Sequence, residues 1–170
     1  MGLGRVRGLR TVRVGWGVRH TDVDSVWVLA PHDLSIALEI LGRVPRPVAA
    51  RGWGNISQGV VLHGLLEVGG VWQAIEVSDR CPQPIRRVEL HCDGGVAVLA
   101  GGWDEHISVH RLGEDPAGDR VETPGELPLL AELRAFVAHL DGGPPPRTAA
   151  TDAAAIVESL AALRSLAGLV

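Results

Sequence analysis

The chain has 170 residues, 46% of them hydrophobic and 21% charged, which supports one globular domain over 1–170 and excludes a disordered chain. Its sixteen basic residues are all arginine and are outnumbered by twenty acidic ones, so a net charge of −4 leaves no basic footprint for a nucleic-acid partner. No apolar stretch approaches the ~20 residues that span a bilayer, and the start MGLGRVRGLR is not followed by an apolar segment of the secretory kind, so a cytoplasmic protein with no membrane partner is expected.

In chain order, Val6–Trp16 is rich in β-branched residues and glycine and reads as an opening strand. Leu34, Ala37, Leu38 and Leu41 fall at helical spacing and predict a helix over about 26–41, stopped by Gly42 with Pro45 and Pro47 beyond it. His32, Ser35 and Glu39 form a narrow polar line along that helix. From about 48 to 112 the pattern changes to period two, with runs at 60–68, 71–79, 85–92, 96–100 and 107–112. The breaks are Gly69-Gly70, a proline-containing turn at 81–84, Asp93-Gly94-Gly95 and a link at 101–106, so the runs predict an antiparallel meander. Within it Arg87, Glu89 and His91 share one face and Val88, Leu90 and Cys92 the other, so one face is packed and the opposite one is polar or meets a partner.

The stretch 115–125 reads as a polar loop. Leu130, Leu133, Phe136, Val137 and Leu140 predict a helix over 126–140, broken at 142–146, and Thr151-Asp152 starts an alanine-rich helix to about 166. The predicted class is α+β: a single antiparallel sheet with helices packed on one face. Cys81 and Cys92, the only cysteines, are expected as reduced thiols.

With these elements placed, three stretches resemble the C-terminal domain of the Gfo/Idh/MocA oxidoreductase family. WVLAPHDLSIALEILGRVPRPVAA (27–50) is similar to the family's substrate-side helix and following strand. RRVELHCDGGVAVLAGGWDEHISVHRL (86–112) resembles its late hairpin, and the stretch 127–168 with its GGPPPRT link resembles its closing helices. The resemblance implies a partner half, a Rossmann domain with a glycine-rich loop and a catalytic lysine. Gly2-Leu3-Gly4 and Gly15-Trp16-Gly17 lack the third glycine of that loop, and there is no lysine. It further implies that His32 faces a substrate pocket and that the free sheet face forms a homodimer. Many members carry a carboxylate four residues before this histidine; here that position is Val28.

His32 has two readings, a general acid or base with Asp33 beside it, or a histidine packed at a helix start with Asp33 steadying the first turn. His20, Asp22 and Asp24 line one side of an extended segment and can assist a proton relay or touch substrate; no second ligand cluster matches them, so no metal is expected. Of Trp16, Trp27, Trp53, Trp72 and Trp103, the resemblance places Trp27 and Trp53 near the pocket, with Val28 on its wall, while Trp103-Asp104-Glu105-His106 reads as a hairpin tip. Three functions follow: acid–base chemistry on a small-molecule substrate without a cofactor (isomerase, lyase or cyclase type) centred on His32; the substrate-binding subunit of a split NAD(P)-dependent oxidoreductase whose Rossmann half is a separate protein; or a non-catalytic regulatory module.

Overall fold

A computed structural model describes residues 2–17, 20–102, 104–145, 147 and 149–169; Trp103 of the expected hairpin tip and Pro146 and Thr148 of the link between the closing helices lie outside them. Strand β1 (Val6–Trp16) and helix α1 (Ser25–Leu41) come first. Strands β2 (Arg46–Asn55), β3 (Gly59–Val68), β4 (Val71–Ser78), β5 (Arg80–Cys92), β6 (Gly95–Leu99), β7 (His106–Arg111) and β8 (Asp119–Glu122) follow, then helices α2 (Pro128–Leu140) and α3 (Ala150–Ala167). The strands form one eight-stranded sheet in the order β2-β3-β4-β1-β5-β6-β7-β8.

The class is α+β as predicted, but the sheet is mixed. β1 inserts between β4 and β5, parallel to the first (Val12↔Glu76) and antiparallel to the second (Thr11↔Val88), while every other pair is antiparallel. Only Asp79 separates β4 from β5, so the chain steps across the end of β1, where Gly17 N donates to Asp79 O at 2.8 Å. The expected turn at 81–84 is part of β5, in a stretch where pairing with β1 is irregular between Arg80 and Ile85 and β6 does not reach. Irregular, edge-like pairing of this kind tolerates Pro82 and Pro84. The loop expected at 115–125 holds β8, a short charged edge strand paired to β7.

Local signals explain the helices. Asp24 caps α1 by accepting from Val26 N at 3.1 Å and Trp27 N at 3.3 Å, and Gly42, at φ +74°, ends it by donating to Leu38 O. At the start of α3, Asp152 reaches back to accept from Ala149 N at 2.9 Å.

The core is made by Val26, Ala30 and Leu34 of α1, Leu62 and Leu66 of β3, Val77 of β4, and Leu160 and Leu163 of α3, each fully buried. Each of the valines and leucines contributes roughly 1.5–3 kcal/mol by leaving water. α1 packs on β1, β3 and β4, and α3 on β2, β3 and α1. The expectation that all helices pack on the sheet fails for α2: none of its residues is buried, and among the described residues no helix or strand packs on it.

Cys81 and Cys92 are free and sit at opposite ends of β5, too far apart to pair. No described helix is long and apolar enough to cross a membrane.

Candidate functional site

Arg13 lies on the helix-covered face of β1 with Leu9 and Thr11, four and two residues before it. A cation on that face needs a partner, and α1 supplies Asp33, whose side chain is only 1% exposed. Arg13 Nε and Nη2 each donate to Asp33 Oδ1 at 3.2 Å, and Nε also reaches Oδ2 at 3.4 Å. Below them Gln73 Nε2 donates to Asp33 O at 3.2 Å and to Thr11 Oγ1 at 3.4 Å, while its buried Oε1 has no partner among the described residues. Burial pushes the Asp33 carboxyl up to about 6, against the opposing pull of Arg13.

Arg86 stands opposite Arg13 in the β1–β5 register and therefore on the same face. His32, the residue before Asp33 on α1, is exposed and lies on the side of the helix toward these two arginines. Partial desolvation, then the charges of Arg13 and Arg86, hold its imidazole below the usual histidine range. It is therefore neutral at pH 7, able to accept a proton on one ring nitrogen and to donate from the other. Among the described residues no carboxylate pairs with Arg86, whereas Arg13 is neutralised by Asp33. The group of His32 and Arg86 beside the Arg13–Asp33 pair suits an electron-rich oxygen.

The structure separates the other expected site residues from this group. Asp33 is turned into the sheet, away from solvent, and holds Arg13. Val28, one turn before His32, is half-buried and lines a narrow crevice with His20, Ile56 and Asp79. Asp24 is occupied as the cap of α1 and by an ion pair with Arg164, whose guanidinium lies 5.3 Å from the centre of the Trp27 ring. His20 and Asp22 are exposed before the helix, and no described cluster of three His, Cys, Asp or Glu has the arrangement of a metal site. The register puts Trp53 on the sheet face opposite α1, with Arg80 4.3 Å over its ring.

Sequence reading missed Arg13, Arg86 and Asp79. The first two had a signal, an arginine at a period-two position on a face that is otherwise apolar. Asp79 accepts from Ser25 Oγ at 2.7 Å and Val60 N at 2.5 Å, tying the start of α1 to the sheet. A Cβ at Gly59, which has φ +86°, would stand 2.5 Å from Asp79 Oδ1, so glycine is needed there.

No family model and no curated protein matches the sequence. Among solved structures, a UDP-N-acetylglucosamine 3-dehydrogenase from Acidithiobacillus ferrooxidans matches with a TM-score of 0.73 at 21% identity, over 99% of this chain and 55% of its own. A 3-ketoreductase from Actinomadura kijaniata, solved with NADP, gives a TM-score of 0.80 at 14% identity over 96% of this chain and 52% of that one. Biliverdin reductase from Synechocystis, solved with biliverdin and NADP+, gives 0.77 at 16% identity over 97% and 55%. At these identities the likeness is one of fold, and this chain spans about half the length of each of these three structures.

Proposed function

This chain has the fold of the C-terminal part of Gfo/Idh/MocA-type oxidoreductases, and we propose that it is the substrate-side half of an NAD(P)-dependent oxidoreductase whose dinucleotide-binding half is another polypeptide. The observation that carries the substrate-side assignment is the coverage: nearly all of this chain lies on about half of each of these neighbours. Cofactor-independent isomerisation, elimination or cyclisation has no counterpart among those neighbours.

A bound dinucleotide would give or take a hydride at the reacting carbon. The residues of this chain act on the oxygen attached to that carbon. The neutral imidazole of His32 donates a hydrogen bond to it, or accepts the proton of a hydroxyl group, and Arg86 offsets the negative charge that develops there. With Val28 in place of a carboxylate there is no acidic group one turn away to relay that proton. Asp33 serves as a positioning residue, fixing Arg13 and through it the charge beneath His32. Substrates with an anionic or carbonyl group next to the reacting carbon fit this cationic setting.

Two copies of the chain are proposed to meet through the sheet face opposite α1, which exposes Trp53, Leu65 and Ile85. Sedimentation equilibrium showing only monomer removes that part.

The function is tested by recovering the tagged chain from its native host and assaying NAD(P)H turnover. A reaction that needs both this chain and a co-purifying dinucleotide-binding protein, and is lost in His32→Ala, is the expected result. Turnover of a metabolite by this chain alone, with no dinucleotide present, overturns the reading.

A further inference from the structure

We infer that the apolar stripe of α2 is the surface on which the dinucleotide-binding polypeptide docks, an inference that rests on the function proposed above. On a helical wheel Leu129, Leu130, Leu133, Phe136, Val137 and Leu140 fall within an arc of about 120°. Glu132, Arg134 and His139 lie on the other side. All six apolar side chains are exposed, Leu129 at 66% and Leu140 at 68%, and no described element covers them. A helix of this length, held by no packing, is marginal in water. The amphipathic pattern has its physical meaning only with a second layer against it.

A second uncovered surface belongs with it. The helix layer ends at β1: α1 and α3 cover β1–β4, and no described helix packs on the same face of β5–β8, where only Gly102 of the link after β6 lies against the Arg86 side chain. There Val88, Leu90, Leu99 and Val109 face outward without being fully buried, and Val121 is exposed. His32 and Arg86 stand on the border between the covered and uncovered halves. A body seated on β5–β8 and gripped by α2 would therefore close over the candidate site.

The size of the surface favours a globular domain over a second copy of α2. The stripe is only about 20 Å long and 10 Å wide, so two such helices paired together cover far less than the ~800 Å² per partner of an ordinary stable interface. Four uncovered strands at ~4.8 Å spacing supply the rest of a standard interface. The missing partner also has a size, since each neighbour contains about as many residues again outside the part matched here.

The test joins the full chain by a flexible Gly/Ser linker to the half of the Actinomadura 3-ketoreductase that this chain does not match. The tether holds the two at about millimolar effective concentration. NADPH binding verifies that the added half is folded; the corresponding half of the Synechocystis enzyme replaces it if that binding is absent. Hydrogen exchange of the amides of 129–140 is compared with the untethered chain. Docking slows them about tenfold or more, and Leu133→Asp with Phe136→Asp abolishes the slowing while leaving exchange in the core of β3 unchanged. Protection of β5–β8 without α2 overturns the α2 inference and leaves the proposed function standing. Protection of neither, with NADPH bound, overturns the α2 inference, while the proposed function is decided by the co-purification assay. Concentration-dependent protection of α2 in the untethered chain assigns the stripe to a second copy and overturns the inference.

Discussion

Strands β1–β4 and strands β5–β8 belong to one sheet but are stabilised in different ways. The first four lie under α1 and α3, and their inward side chains reach zero exposure at Leu9, Leu62, Leu66 and Val77. In the other four only Gly95 and Val98 are buried. Their cohesion comes from the backbone ladder and from surface ion pairs such as Arg111–Asp119 and Arg120–Glu122. Exposed pairs of that kind contribute ~0–1 kcal/mol each. The difference separates what this chain supplies for its own folding from what it presents to something else.

Cutting one leucine from each part separates the two kinds of stability most sharply. Leu160→Ala in the buried half is expected to cost about 2–5 kcal/mol by urea unfolding. Leu133→Ala on α2, with its side chain in water, is expected to stay within about 0.5 kcal/mol of wild type. Similar losses at both positions would mean that α2 is covered in the free chain and that the contrast is false.

The next largest effect lies at the seam. Arg13→Met leaves the Asp33 carboxylate buried and unpaired, at a cost of about 3 kcal/mol. Its pH dependence follows from the raised carboxyl. The folded value of about 6 lies above the reference value of 3.8, so the folded state binds the proton more readily than the unfolded one. Stability from this group is fully present below about pH 4, declines as pH rises through about 6, and is level above that. Removing Arg13 removes the opposing pull and carries the decline to higher pH. The gap between variant and wild type should therefore widen from pH 5 to pH 8, and urea midpoints at the two pH values check it. An equal gap at both would show that Arg13 does not act on the Asp33 charge.

Asp79→Ala tests how firmly the covered half holds the start of α1. It leaves Val60 N and Ser25 Oγ without their acceptor inside the protein. Each unmet buried donor costs about 1–3 kcal/mol. Asp79→Asn, which keeps an acceptor oxygen, is expected to lose less by thermal unfolding; equal losses would count against the hydrogen-bond explanation.

The parts of this architecture that were legible in the sequence are those set by neighbours along the chain. α1 was readable from Leu34, Ala37 and Leu38 and its stop at Gly42, and β1 from its β-branched run. The place of β1 in the sheet was not, because hairpin signals between β4 and β5 carry no trace of a strand some sixty residues earlier that parts them. β8 was hidden by Asp119, Arg120 and Glu122, which read as loop although they suit an edge strand. The spacing of Leu130, Leu133 and Phe136 announced a helix but is the same whether its own sheet or another protein covers it. In the site, His32 stood out through a family resemblance. Arg13 and Arg86 did not, because the charge on His32 depends on a register that pairs two residues more than seventy positions apart.

The smallest expected effect is also the one closest to chemistry. In an NMR titration His32 should give a midpoint below the ordinary 6.5, since desolvation first, then Arg13 and Arg86, disfavour its cation. Arg86→Gln removes one of the two charges and should move the midpoint part of the way back up, burial being unchanged. No movement would place Arg86 out of range of the imidazole and remove it from the proposed site. The same titration reads the border between the two halves. If a body docks over β5–β8, His32 becomes more buried and its midpoint falls further, leaving a neutral imidazole to face the substrate oxygen. A rise on docking means instead that the incoming half brings a carboxylate to His32, restoring from outside the acid–base pair that Val28 cannot provide.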